Sequence, residues 1–243
     1  MSRRPDVPRI YFSFRSPFSW LALHQLRSQE PDILRRAEMI PYWDPDSRTE
    51  RALKERGAAV HYVQMSKAKH LYVLYDTRRL TQRFGLPMAW PVDRDPWWEV
   101  PHLAWLRARR EGVAERFYDA VTRARWEQGL DICDPDTLAG LTVECGLSAG
   151  QLTSAANDPE LREEGVDCLE RAYHDDVFGI PYFRAGRDRF WGLDRTEEFL
   201  AAYRAVLSGT PPPREPAGAV PEVPGALREA VGAYDTDTAG GCG

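Results

Sequence analysis

The chain has 243 residues, a formal net charge of −5 at pH 7 and a hydrophobic fraction of 43%, which are values typical of a soluble globular protein. The acidic balance, with no basic run to offset it, excludes the electrostatic pattern of a nucleic-acid-binding domain. No apolar stretch approaches the roughly 20 residues that a membrane helix needs.

The N-terminal segment and the metal-binding residue types add two further expectations. Met-Ser-Arg-Arg-Pro-Asp is basic, but no apolar signal-peptide core follows it, so we expect a cytoplasmic location and no membrane association. The histidines are scattered, and the cysteines show neither metal spacing nor a disulfide framework; the cysteines are Cys133, Cys145, Cys168 and Cys242. We therefore predict buried thiols and no metal.

The first elements form a strand, a helix and a second strand. Residues 9–14 are mostly β-branched or aromatic, which predicts a buried strand. Ser16 falls at the N-cap of the following helix and Pro17 at its first position, where a missing N–H costs nothing. This helix is predicted to reach about Ser28, and residues 38–43 form the second strand, ended by an Asp-Pro-Asp turn.

Between about residues 47 and 175 strand signals vanish and helical spacing takes over. The predicted helices include one that ends at Gly85 and others over 98–106, 113–124, 136–145, 148–156 and 159–176. This whole stretch therefore reads as an all-helical block.

Strand signals return near residues 182–183 and 189–191, with Gly186 between them as a hairpin turn. A last helix is predicted from Asp194 to about Leu207, and Asp194 with Glu197 three residues later suggests a capping box.

The element order is therefore β-α-β, a long helical insertion, then β-β-α. This order predicts an α/β thioredoxin fold with a large all-helical insertion. We predict a thioredoxin-like domain from 1–46 and 177–208, an inserted helical domain at 47–176, and a disordered tail at 209–243 with a short helix near 224–234.

In redox proteins of this fold, a Cys-x-x-Cys pair lies at the first helix N-terminus. Here the same place holds Ser16-Pro17-Phe18-Ser19. Disulfide exchange at this position is chemically excluded, because no thiol is present.

Four motifs in order resemble the branch of DsbA-like proteins that contains 2-hydroxychromene-2-carboxylate isomerases and kappa-class glutathione transferases. The resemblance covers about residues 9–207. The motifs are the strand and Ser-Pro turn at 12–20, Lys69-x-x-Tyr72-x-x-x-Asp76 with Gly85-Leu-Pro87, Val177-Phe-Gly-Ile-Pro181, and Phe190-Trp-Gly-Leu-Asp-Arg195.

The resemblance implies a catalytic serine and a set of cofactor contacts. Ser16 is expected to face the sulfur of bound glutathione and to stabilise its thiolate together with the helix N-terminus. The Ile180-Pro181 bond is expected to be cis. The implied cofactor-binding residues are Pro17, Phe18, Ile180, Leu193, Asp194 and Arg195. Structural roles, with Ser16 and Asp194 acting only as helix caps, stay open alternatives.

Aromatic residues suit a planar conjugated substrate, and a cation suits a substrate carboxylate. We predict a substrate site built from Trp43, Lys69, Trp97 and Trp98, with the two adjacent tryptophans exposed at a loop-to-helix junction. Core packing of the tryptophans and solvation of the lysine are the alternatives.

The cofactor is an open point in the sequence. The family has an Asn-Lys/Arg-Pro-Pro-like segment that contacts glutathione, whereas residues 51–61 of this chain contain neither an asparagine nor prolines. Glutathione, a different thiol and no thiol at all are therefore three alternatives.

The resemblance implies cis/trans isomerisation of a conjugated aromatic or polyene substrate, by reversible addition of a thiolate. A biosynthetic substrate held on an acyl carrier protein is one variant of this hypothesis, and the family implies a homodimer. A kappa-type glutathione transferase and a non-catalytic binding module are the alternatives.

Overall fold

The computed structural model describes residues 7–61, 65–209 and 225–226. Its sheet has the strand order β2-β1-β3-β4, with β1 parallel to β2 and antiparallel to β3, and with β3 antiparallel to β4. The strands are β1 Arg9–Phe12, β2 Glu38–Pro41, β3 Tyr182–Ala185 and β4 Asp188–Trp191.

Helices surround this sheet. They are α1 Pro17–Gln29, α2 Ile33–Arg36, α3 Ser47–Glu55, α4 Lys67–Phe84, α5 Glu99–Arg110, α6 Ala114–Thr122, α7 Pro135–Gly140, α8 Thr142–Cys145, α9 Ala149–Ser154, α10 Pro159–His174 and α11 Thr196–Ser208. A π-helical turn at Arg123–Glu127 and 3₁₀ turns at Ala155–Asn157 and Leu193–Arg195 complete the set. The described residues between β2 and β3 contain no strand, which confirms the predicted thioredoxin fold with a helical insertion.

Local signals placed several helix ends correctly. Ser16 is the N-cap of α1 and Pro17 is its first residue, as predicted. Gly85 ends α4 in the left-handed conformation (φ 67°), which glycine adopts without a steric penalty.

The predicted capping box at the last helix is wrong. This helix begins at Thr196, and Arg195 occupies its N-cap without a capping hydrogen bond from its side chain. Asp194 lies one position earlier, in the 3₁₀ turn, where its carboxylate accepts a hydrogen bond from Arg195 (2.8 Å). The extra turn displaces Asp194 from the capping position.

Two further differences concern short helices. The single helix predicted at 136–145 is interrupted after Gly140, giving α7 and α8. Local sequence signals did not predict α2 and α3. Asp46, assigned only to the turn after β2, caps α3 by accepting hydrogen bonds from the N–H groups of Arg48 and Thr49.

One hydrophobic core joins the sheet to the inserted helices. Phe12 at the end of β1 lies edge-to-face with Trp105 of α5 (5.0 Å) and Tyr118 of α6 (5.8 Å). All three side chains are buried in the same cluster. The proposed division into domains stays a prediction, but the helical segment is packed directly behind the strand that leads to Ser16.

Two sequence predictions concern the remaining residues. Cys133, Cys145 and Cys168 are buried, as expected, whereas Cys242 lies outside the described residues. The predicted disordered tail and its short helix also lie outside them, apart from positions 209, 225 and 226. Within the described ranges, no helix combines the length and apolarity that crossing a bilayer requires.

Candidate active site

The N-terminus of α1 places Ser16 at the end of the central strand. Its Oγ accepts a hydrogen bond from the N–H of Ser19 (3.2 Å), and its side chain is half-buried rather than sealed in the core. Pro17 is buried beneath it and Phe18 is half-buried. The first turn of α1 contains no acidic residue, so its positive end is not neutralised from within the helix.

The loop before β3 reaches the same edge of the sheet. Tyr11 of β1 pairs with Tyr182 of β3, so Ser13 and Ile180 leave the sheet side by side. The Ile180–Pro181 peptide bond is cis, as expected. Ile180 is half-buried against the main core. The loop that carries Ser16 and the loop that carries the predicted pre-proline residue therefore leave the sheet at the same edge.

The 3₁₀ turn after β4 completes this edge. The N–H of Gly192 donates to the carbonyl of Pro181 (3.0 Å), which ties the turn to the cis-proline loop. Leu193 packs against the cluster of Trp20, Leu21 and Trp126, so it lies beside the first turns of α1. Ser16, Ile180 and Leu193 thus come from three separate segments that meet at one end of the fold.

Asp194 and Arg195 lie exposed beyond this apolar edge and form an ion pair. Gly192 has φ 102°, and a Cβ at this position would lie 2.7 Å from Oδ1 of Asp194. Glycine is favoured there because of the backbone conformation, whereas the exposed Asp194 carboxylate could move away from a Cβ.

Hydrogen bonds hold the loop between β1 and α1. The N–H of Ser13 donates to Oγ of Ser19 (3.2 Å), and the N–H of Ser16 donates to the carbonyl of Ser13 (3.2 Å). Oγ of Ser13 accepts from the N–H of Arg15 (3.3 Å). Both flanking serines are buried, and the sequence analysis missed their role. The sequence does contain a signal for this role, because Ser13 and Ser19 each lie between two aromatic residues.

Two predicted substrate-binding residues are in the core instead. Trp43 and Trp98 are 2% and 4% exposed, and neither has a free ring face for a ligand. Trp43 stacks on His102 (5.2 Å between ring centroids, 14° between planes), and Trp98 lies edge-on to the same histidine. We therefore remove both from the substrate site. The expectation that Trp98 is exposed is wrong because α5 begins at the next residue and the residues of its first turn are buried.

The other two predicted substrate contacts, Trp97 and Lys69, are less buried than these. Nε1 of Trp97 donates to Oδ2 of Asp46 (3.0 Å), and the guanidinium of Arg162 lies 5.6 Å from the Trp97 ring. Trp97 thus contacts Asp46, which is the N-cap of α3, and Arg162 of α10. Lys69 is exposed in the first turn of α4. Within the described residues, no hydrogen bond, ion pair or ring contact joins either side chain to Ser16.

Exposed aromatic residues do occur beside the cis-proline loop, and the sequence analysis did not select them. Phe178 lies edge-to-face with Trp191 (4.9 Å), and both rings are exposed. A Cβ on Gly179 would lie 2.5 Å from Nε1 of Trp191. Glycine at this position allows the indole to lie against the loop backbone.

Charge around the site is balanced by pairing. Arg15, next to Ser16, forms an ion pair with Asp44 after β2, and its guanidinium carbon lies 5.8 Å from the centre of the Trp98 ring.

A separate cavity of about 350 Å³ lies along α1 and α6. Trp20 and Ser28 are among the residues that line it, and Ser16 is not. Among the described residues, no group of three His, Cys, Asp or Glu side chains is arranged to hold a metal ion.

The chain is similar to proteins of known family. The DSBA-like thioredoxin domain matches residues 9–204. The 2-hydroxychromene-2-carboxylate isomerase of Sphingobium xenophagum is 30% identical over 199 residues, which cover 80% of this chain and 95% of that protein. Its namesake from Pseudomonas putida is 28% identical over 192 residues, covering 76% and 88%.

A solved structure of a 2-hydroxychromene-2-carboxylate isomerase has the same fold. It superposes with a TM-score of 0.62 at 20% identity and covers 84% of this chain and 97% of its own. The identity to the Sphingobium protein extends over nearly the whole of that relative. The chain therefore belongs to the DsbA-like thioredoxin family and, within it, to the family of 2-hydroxychromene-2-carboxylate isomerases.

Proposed function

We propose that this protein is an isomerase that changes the geometry about a conjugated double bond in an aromatic 2-oxo acid, with a thiol as cofactor. The first substrate to test is 2-hydroxychromene-2-carboxylate, which its relatives are named for. The observation that carries the proposal is the half-buried hydroxyl of Ser16 at the N-terminus of α1, whose first turn contains no acidic residue.

Glutathione fits the residues at this edge. An anionic sulfur suits a helix N-terminus whose first turn has no acid. The γ-glutamyl end of glutathione carries both an ammonium and a carboxylate. The exposed pair of Asp194 and Arg195 offers one charge of each sign for it.

When bound, glutathione supplies a thiolate that adds reversibly to a conjugated carbon and so turns a double bond into a rotatable single bond. Ser16 contributes the O–H that can donate to a negative sulfur, because its capping bond uses only an oxygen lone pair. Ile180 and Leu193 supply apolar walls beside it. The reaction is neutral in atoms and electrons, since the group that adds is also the group that leaves.

Phe178 and Trp191 are the aromatic surfaces that replace the buried tryptophans in this proposal. Both are exposed and lie on the loop and strand that flank Pro181. A planar substrate can stack on such rings without displacing core residues.

The test is an assay of the purified full chain with 2-hydroxychromene-2-carboxylate, with and without glutathione. Chromatography follows the substrate and its trans, ring-opened isomer. We expect the two forms to equilibrate faster only when protein and glutathione are both present, with the mass of the substrate unchanged.

Other outcomes assign the chain differently. A stable product with the added mass of glutathione identifies a transferase. Equal acceleration without any thiol keeps the isomerase and removes glutathione. No acceleration in any mixture contradicts the proposal. A carrier-bound substrate, a homodimer and a cytoplasmic location remain predictions.

A further inference from the structure

A histidine from the inserted helices lies directly behind the loop that carries Ser16. His102 of α5 is completely buried. Its Nε2 lies 3.2 Å from the backbone N of Phe14 and 3.4 Å from Oγ of Ser13. Its Nδ1 lies 2.7 Å from the carbonyl oxygen of Trp98. The proposed chemistry at Ser16 does not use this side chain.

The two backbone partners determine the protonation state of the ring. The amide of Phe14 can only donate, so Nε2 must be the unprotonated acceptor. The carbonyl of Trp98 can only accept, so Nδ1 must carry the proton. His102 is therefore neutral in one tautomer. Burial lowers its pKa to about 3 and the charge of Arg125 acts in the same direction, although the bond to Trp98 opposes the shift.

Aromatic packing fixes the position of the imidazole. Trp43 stacks on one face of His102, and Phe14 lies 5.3 Å from it between ring centroids. Trp98 lies edge-on at 6.2 Å. A ring held between tryptophans presents its Nε2 acceptor at a fixed point.

The loop is thus held from two sides. From α1, Oγ of Ser19 accepts the N–H of Ser13. From α5, Nε2 of His102 accepts the N–H of Phe14. The carbonyl of Ser13 then receives the N–H of Ser16. Only Arg15 lies between the histidine contact at Phe14 and the reactive residue Ser16, so the direction of the Ser16 hydroxyl depends on this anchor.

We propose that His102 is a positioning residue, which as a neutral hydrogen-bond acceptor holds the loop from Ser13 to Ser16 in its active conformation. Its effect on catalysis rests on the proposed function, whereas its effect on the loop does not. The inference gives α5 a role in the site beyond filling the core.

The experiment compares three variants of the full chain. His102→Gln keeps an acceptor that can reach the N–H of Phe14. His102→Asn keeps a donor for the carbonyl of Trp98 but loses that acceptor. His102→Phe keeps the ring and its stacking on Trp43 but loses both. Three quantities are measured for each: amide exchange of Phe14 by NMR, the melting temperature, and kcat and KM for the isomerisation.

We expect exchange of the Phe14 amide to be faster in the Asn and Phe variants, with the Gln variant close to the wild type. In the same two variants kcat should fall about 10- to 100-fold, the effect expected from a displacement of roughly 1 Å. KM should change less than kcat. Activity should depend on the presence of the acceptor. The Gln variant should therefore have a higher kcat than the Phe variant, even where the Phe variant has the higher melting temperature.

Two results would overturn the inference. One is exchange and kcat that match the wild type in folded Asn and Phe variants. The other is activity that simply follows melting temperature, with Gln no better than Phe. If the wild type shows no isomerase activity, the proposed function fails, but the exchange data still decide whether the histidine holds the loop.

A measurement on the wild type covers the case in which the variants do not fold. The ¹⁵N shifts of the His102 imidazole report its tautomer directly. We expect a protonated Nδ1 and a bare Nε2 at neutral pH, and a ring protonated at Nε2 would contradict the proposal.

Discussion

At the residue scale, Ser16 combines a structural and a chemical role without conflict. A hydroxyl has two lone pairs and one proton, and the bond from Ser19 N–H uses only one lone pair. The helix cap and the donor to an anion are therefore compatible. The sequence left open whether Ser16 is a helix cap or a catalytic residue, and one side chain can be both.

His102 gives a pH prediction at the same scale. In the unfolded chain a histidine binds a proton near pH 6.5, whereas in the fold its pKa is about 3. Between these values the unfolded state holds more protons, so the free energy of unfolding rises with pH by up to about 1.4 kcal/mol per unit. The stabilisation is complete above pH 6.5 and is lost as the pH falls towards 3.

Urea unfolding of the wild type and of His102→Gln at several pH values checks this. The stability difference between the two proteins should shift against the wild type as the pH falls from about 6.5 to 5. The charged and titratable neighbours Arg125 and Glu99 are present in both proteins, so their direct contributions cancel. Parallel stability curves would show that the histidine does not stay neutral in the fold.

At the scale of elements, a close helix contact depends on one glycine. A Cβ at Gly165 of α10 would lie 2.8 Å from Cδ2 of Leu103 and 3.1 Å from Cη2 of Trp43. Gly165→Ala should therefore destabilise the protein by about 1 to 3 kcal/mol, despite the better helix propensity of alanine.

Gly150 of α9 is the matched control. A Cβ there meets no atom within 4 Å, so Gly150→Ala should stabilise the protein by up to about 1 kcal/mol. Thermal unfolding of the two variants separates them by sign. Stabilisation by both substitutions would mean that α10 and α5 do not pack this closely.

Local sequence signals predicted the fold better than they predicted the site. The Ser-Pro start of α1 and the Gly-Leu-Pro end of α4 depend on neighbouring residues, and both were confirmed. Trp43 and Trp98 both pack against His102, which lies far from Trp43 in the sequence. Such tertiary contacts leave no mark in local spacing.

At the scale of the whole molecule, Asp175 joins the inserted helices to the sheet. It follows α10 directly and is 5% exposed. Its carboxylate accepts hydrogen bonds from Arg9 (2.8 Å) and Tyr11 of β1, and from Arg184 of β3. Burial opposes its ionisation, but these partners outweigh that effect and lower its pKa from 3.8.

Asp175→Asn should destabilise the protein by about 3 to 5 kcal/mol, because it leaves two arginines without their shared counter-charge. The control is Asp167→Asn on α10, whose exposed carboxylate pairs with Arg56 and should contribute at most about 1 kcal/mol. Equal losses in urea unfolding would show that the buried cluster is no stronger than a surface ion pair.

The proposed function depends most on Ser16, and kcat/KM for the isomerisation at saturating glutathione tests the role of this residue directly. Ser16→Ala is compared with Ser148→Ala, which removes the N-cap serine of α9. Each substitution should cost about 1 kcal/mol of stability. We predict a fall in kcat/KM of about 100-fold or more for Ser16→Ala alone, the size of effect expected when a negatively charged sulfur loses a preorganised hydrogen-bond donor. Equal kcat/KM in the two variants would contradict it.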